Sequence, residues 1–486
     1  MKLLNKILHW LALLGMGVIL SSCTQKMDAT TAFIHVNLIP MNDENVILDQ
    51  TVLIEGSTIV AIGDFIDVKI PNDIQVIDAS GAYLMPGLAD MHMHTRADWE
   101  DQDIWPAHPL YLYLANGVTT IRDLSPSGSP IDYALQWQNE ISAGIRVGPT
   151  IYTSGKLLYA SPLDDPAGIV AQNYELGFDF IKLYSYLSKD DFHQAMTEAK
   201  ALGIYTTGHI PYAVGLDGVL NEGMDEIAHV EELLFEFIEF DRNRQLSPND
   251  WITYLSESAM RQFDLGKSND VAEFKKENSA LIQNIVDRLR SAQIPVCSTM
   301  AVDNIVQLKL FQPDAFLARP ENRYFEAGYI EGFMRGEEKH QVQCRNVEDL
   351  CAFKNLIDTW ILEELHAGDV MLILGTDSGT GGMGIVPGFS IHDELEILVE
   401  NGFSPYEALK TGTVNAAIVA EKMNGDGKFG TIKVGNRADL ILVSGNPLTD
   451  LETLREPLGV MAAGSWFPEA MLKQLIGFTD FYDQEF

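Results

Sequence analysis

The sequence predicts a mixed α/β protein, a (β/α)8 or TIM-type barrel joined by a small β-sandwich that both ends of the chain build together. Eight short apolar runs recur through the middle of the chain and alternate with helical patterns, as parallel βα units do. On either side of that region the chain reads instead as short β runs punctuated by turns. The length of 486 residues, with 46% hydrophobic and 21% charged, suits one large domain and a smaller companion.

The first 23 residues, MKLLNKILHWLALLGMGVILSSC, place Lys2 and Lys6 ahead of an apolar run that ends in small residues. This is the pattern of a secretory signal peptide, with a buried helix as the competing reading. The tetrapeptide Leu20-Ser21-Ser22-Cys23 resembles a bacterial lipobox. That resemblance implies a signal peptide over 1–22, lipidation of Cys23, and an exported body anchored by lipid to a bacterial membrane, facing the periplasm or the cell exterior.

FIHVNLIP, TVLIEGSTIVAIG and IQVIDASGAYLMPG then read as strands, and the style returns in GTIKVGNRADLILVSGN and GVMAAGSWF. The expected β-sandwich therefore takes residues 30–85 plus 426–475, leaving 86–425 to the barrel. Its runs are DMHMH, GVTTIRD, PTIYTSG, FDFIKLY, IYTTGHI, EIAHV, IPVCSTM and MLILGTD. Residues 234–293 and 302–367 exceed a plain helical connection and read as helical insertions over the barrel mouth.

A formal charge of −36 would repel phosphate backbones and anionic lipid headgroups, which argues against nucleic acid as a partner. Beyond Cys23 the cysteines are Cys297, Cys344 and Cys351, an odd count without a CxxC pair, so a thiolate zinc site is not expected. Whether Cys344 and Cys351 pair stays open.

The chemistry-bearing residues end the apolar runs. His92 and His94 are two apart in a strand and share a face. Lys182, His209, His229 and Asp377 close later runs, and in a barrel all six would converge at the carboxyl ends of the strands. Imidazole nitrogens and carboxylate oxygens are what divalent ions bind. Ordinary roles compete at each position: backbone-satisfied core histidines, an Asx turn at Asp377, a snorkelling Lys182. Tyr184 shares the strand face of Lys182 and could touch substrate, while Arg122 and Asp123 read as a structural ion pair. His9 lies in the signal segment, and His35, His108, His193, His340 and His366 fall in loops or helices, where surface histidine is the default.

PGLADMHMHT, GVTTIRD, GTDSG, HDELEILVENGFSPYEALKTGTVNAA and GTIKVGNRADLILVSGNPL together resemble the imidazolonepropionase-like branch of the amidohydrolase superfamily. Within it, the lysine of IKLY resembles that of the prolidase-like metal-dependent dipeptidases. The resemblance implies two divalent ions, zinc being the expectation, with His92 and His94 on the first and His209 and His229 on the second. It implies that Lys182 reacts with carbon dioxide to give a bridging carbamate, and that Asp377 is both ligand and catalytic acid and base. His392 then lines the pocket with Tyr184 or only stabilises its helix start. That branch often reads HAHG after its fifth strand; this chain has His209-Ile210-Pro211-Tyr212. The implied activity is hydrolysis of an amide C–N bond, in dipeptides or N-acyl amino acids, by a hydroxide held between the ions. Alternatives are a one-metal cyclic-amide hydrolase or deaminase, and a non-catalytic binding lipoprotein. A small molecule is the expected partner, and homo-oligomerisation stays open.

Overall fold

A computed structural model describes residues 30–477 apart from 129, 131, 263–270, 346 and 380–382. The expected signal peptide over 1–22 and the lipidation site Cys23 lie outside the described residues.

The N-terminal region supplies β1 (Thr31–Leu38), β2 (Ile47–Glu55), β3 (Thr58–Asp64), β4 (Gln75–Asp78) and β5 (Tyr83–Pro86). β6 (Leu88–Met93), β7 (Val118–Asp123), β8 (Thr150–Thr153), β9 (Leu158–Ala160), β10 (Phe180–Tyr186) and β11 (Tyr205–Gly208) follow. Then come β12 (Glu226–Ile227), β13 (Val296–Cys297), β14 (Leu372–Ile373), β15 (Leu440–Val443), β16 (Gly459–Ala462) and β17 (Ser465–Pro468). Each of the eight central runs read from the sequence contains one of the parallel strands, and β9 is an additional one.

The intervening helices form for legible reasons. Lys189–Leu202 starts where the Ser188 hydroxyl accepts from the Asp191 amide at 3.2 Å and stops at Gly203, whose φ of +68° few other residues adopt readily. It buries Phe192, Ala195, Met196 and Ala199, one stripe at helical spacing.

The parallel strands match the expected mixed α/β class, but among the described residues they do not form one continuous closed ladder. They divide into a three-stranded sheet, β6-β7-β8, and a six-stranded sheet, β14-β13-β12-β11-β10-β9. Single parallel bridges link the two at both seams, Met93 with Ser378 and Ser154 with Phe180. Register shifts in β6 and the turn of the chain after Ile373 break regular pairing at the first seam, while β9 takes a place beside β10 near the second.

Strands from both terminal regions hydrogen-bond into one eight-stranded sheet, in which β15 pairs antiparallel with β5 at four positions from Leu440↔Pro86 to Val443↔Tyr83. A bulge in β1 at His35, where φ is +57°, keeps Phe33, Val36 and Leu38 in one core cluster despite their irregular spacing. The region 234–293 holds helices Trp251–Gln262, Val271–Glu277 and Ser279–Ala292; 302–367 is helical through to the long Glu348–Ala367.

Candidate metal centre

β6 delivers His92 and His94 in sequence but not into identical surroundings. His92 is 1% exposed; its Nδ1 is 3.0 Å from the Ala228 carbonyl, and its Nε2 is buried without a hydrogen-bond partner. Nδ1 therefore donates, leaving Nε2 with the lone pair that a cation needs. His94 Nδ1 lies 3.3 Å from the Ser125 carbonyl, and its Nε2 is 2.9 Å from Asp377 Oδ1. The same carboxylate oxygen is 3.5 Å from His92 Nε2. One ligand atom from each of His92, His94 and Asp377 falls within 4.8 Å of the others.

His229 and His209 complete the row of rings. The His92 and His229 centroids are 4.3 Å apart and those of His229 and His209 4.6 Å apart. Each has its Nδ1 engaged outside the cluster, His209 at 2.5 Å from Glu232 and His229 at 2.9 Å from the Thr299 hydroxyl. Such outer contacts fix ring orientation and leave Nε2 as the ligating atom. Burial, reinforced for His92 and His209 by the field of Lys182, pushes both imidazoles far below their usual pKa. Burial, then His209, pushes His229 down to about 3. The imidazoles are neutral at neutral pH, as metal binding requires.

Lys182 is the anomaly. Its side chain is 1% exposed and its Nζ has no hydrogen-bond partner. Burial lowers the ammonium to about 8, with the field of Asp377 acting in the opposite direction. A buried unpaired amine is costly, and a site that keeps one has a use for it.

Asp377 sits in the left-handed backbone region at φ +56°, where aspartate is tolerated but uncommon. Burial pushes its carboxyl upward, but the hydrogen bond and field of His94 and the fields of His229 and Lys182 outweigh that and hold it near 2. Gly379 follows because a Cβ there would stand 1.8 Å from the His94 carbonyl oxygen. Gly375 lets the chain after β14 close on β6, since its Cβ would meet that of His92 at 2.7 Å.

Several supporting residues were not anticipated from the sequence. Asp90 accepts from the Thr376 hydroxyl at 2.6 Å, the Thr376 amide at 3.1 Å and the His92 amide at 3.2 Å, pinning β6 to the segment that carries Asp377. Glu232 and Thr299 orient the second pair of histidines, and Thr299 is itself left-handed at φ +50°. The signal available for Glu232 was its place three residues after His229. The expected Arg122–Asp123 pair does not form. Adjacent strand residues face opposite sides, so Arg122 turns to Glu226, bonding both carboxylate oxygens, while Asp123 accepts from the Thr95 hydroxyl.

Tyr184 is half-buried with its ring 4.1 Å from that of His209. His392 is 3% exposed, and the charged group whose field it feels is Arg455 rather than any of the six convergent residues. His340 is buried and His108 half-buried rather than superficial; His340 Nδ1 lies 2.5 Å from Lys309 Nζ. Cys297, Cys344 and Cys351 are free thiols. A second acidic group, Glu231, Asp303 and Asp358, encloses the Lys354 ammonium at 2.7, 2.8 and 2.6 Å, so a cation of the chain's own already fills it.

The residues fit a divalent cation. The unpartnered His92 Nε2 and Lys182 Nζ, four imidazole donors and an ionised carboxylate meet at the ends of β6, β10, β11, β12 and β14.

Residues 341–467 match the amidohydrolase family model. The chain is 25% identical to ochratoxinase of Aspergillus niger over 405 residues, 78% of this chain and 73% of that protein. Among solved structures it is similar to a Xaa-Pro dipeptidase with methionine bound in its active site (TM-score 0.62, 18% identity, 90% of this chain and 99% of the other). It is also similar to the A. niger ochratoxinase crystal structure (TM-score 0.57, 18% identity, 90% and 96%). These structural likenesses speak to the fold. The family match itself covers the C-terminal portion of the chain, including Asp377 and the helices that follow it.

Proposed function

We propose that this protein is a metal-dependent hydrolase of amide C–N bonds in dipeptides or N-acyl amino acids, working with two divalent ions, zinc by donor chemistry. The observation that carries the reading is the pair of buried, unpartnered groups His92 Nε2 and Lys182 Nζ among three further imidazoles and one ionised carboxylate. His92, His94 and Asp377 would hold one ion, and His209 and His229 the other. Lys182 would reach both after its ammonium loses one proton and the free amine nitrogen bonds to the carbon of carbon dioxide with loss of a second, which replaces a cation by a two-oxygen anion. Bound ions supply a polarised carbonyl and water acidic enough to attack at neutral pH. Asp377, ionised and set against His94, takes the proton that the attacking water loses and gives it to the amine nitrogen as the C–N bond breaks. Tyr184, whose phenol burial keeps protonated, is placed to donate a hydrogen bond to substrate.

We also propose that the two seams complete a (β/α)8 barrel, with the terminal sheet as a separate β-sandwich domain, and that residues 1–23 direct export and lipid attachment at Cys23. Among the described residues no helix is long and apolar enough to cross a membrane. A one-ion reading draws on the compactness of the His92, His94 and Asp377 group, and metal counting separates it from the two-ion reading. The test of function is turnover of a dipeptide and N-acyl amino acid panel by metal-loaded protein. Hydrolysis abolished by chelation and by Asp377→Asn supports the reading; no hydrolysis across the panel overturns it.

A further inference from the structure

We propose that Tyr159, Tyr184 and Tyr186 form a wall that receives a planar aromatic group, so that the preferred substrates are amides bearing an aryl side chain or aryl acyl group. This rests on the amide-hydrolase reading above and names its substrate class. Lys182, Tyr184 and Tyr186 alternate along one face of β10, so the tyrosines continue outward from the buried amine. The Tyr184 ring lies 4.1 Å from His209, 4.9 Å from Tyr159 and 5.5 Å from Tyr186. Tyr159 is 40% exposed and belongs to β9, the strand outside the eight-run pattern, which is paired beside β10 at Leu158↔Leu183. Trp251 of the insertion extends the cluster, 6.4 Å from Tyr186.

Rings therefore run from solvent to a candidate metal ligand, at spacings suited to offset and edge-to-face aromatic contact. A phenyl group entering along them would cover the exposed Tyr159 face and gain stacking that a methyl group cannot supply.

The test compares two N-acetyl amino acid anilides that differ only in phenyl or methyl as the side chain, together with calorimetric binding of N-acetylphenylalanine and N-acetylalanine to the metal-loaded protein. The wild type is expected to favour phenyl at least about tenfold, expressed mainly in KM. Tyr159→Ala should cut that preference about tenfold with the melting temperature retained, and Tyr159→Phe should keep it. Equal handling of phenyl and methyl by the wild type, or an equal loss on both in Tyr159→Ala, overturns the proposal. If neither anilide is cleaved, the amide reading is in question, and binding decides the wall: phenyl-selective binding weakened by Tyr159→Ala supports it, and unselective binding overturns it.

Discussion

Asp377 and Lys182 are the residues on which the chemistry turns, and their variants should part company. Asp377→Asn keeps the shape but loses the base and one anionic ligand, so kcat should fall about 10²–10⁴-fold and the ion beside His92 and His94 should be held more weakly, with the melting temperature of the metal-free protein nearly unchanged. Lys182→Met removes a buried amine that has no partner, so the metal-free protein should be as stable as the wild type or more so, while metal binding is lost. Melting curves and metal analysis check both. His229 gives a pH signature in the metal-free protein. Its folded pKa lies near 3 against an ordinary 6.5, so the unfolded chain takes up a proton first as the medium acidifies. Stability should be level above pH 7 and fall as pH drops from 6.5 towards 3, by up to about 1.4 kcal/mol per unit from this group. Denaturant midpoints against pH for wild type and His229→Gln should differ by that one-proton slope. The six convergent residues were legible because each ends an apolar run, a local signal. Asp90 and Thr299 were not, since their partners Thr376 and His229 are distant in sequence and nothing local marks them.

At the scale of elements, β12 contributes more than its two residues suggest. Glu226 receives both Arg122 nitrogens from β7, the Tyr205 hydroxyl at 3.1 Å and the Thr207 hydroxyl at 3.0 Å from β11, and so ties together strands of both parallel sheets. Arg122→Met would strand that buried carboxylate and should cost about 3–5 kcal/mol in urea unfolding, much of it recovered by adding Glu226→Gln. The parallel strands could be read from sequence because strands buried on both faces are continuous apolar runs. The ladder's two seams could not, because register shifts and an added strand such as β9 reflect packing between distant segments. The bulge at His35 was hidden for the same reason, since it shows only in which side chains share a core.

For the whole molecule, the sheet built from both terminal regions makes the ends interdependent. Removing residues 440–477 would strip β15 from β5 and expose Leu84 and its core neighbours next to the strand that carries His92. That truncation should yield insoluble or loosely packed protein, seen as lost near-ultraviolet circular dichroism, rather than a functional core. The overall acidity argues against polyanionic partners but does not reveal where a cation binds; of the two groups whose donors converge, Glu231, Asp303 and Asp358 already enclose Lys354. Anomalous diffraction at the metal edge from crystals of the purified protein tests the central claim most directly. Two peaks are expected, one among His92, His94 and Asp377 and one beside His209 and His229, with density joining Lys182 to both. Peaks absent there, or confined to Glu231, Asp303 and Asp358, would contradict it.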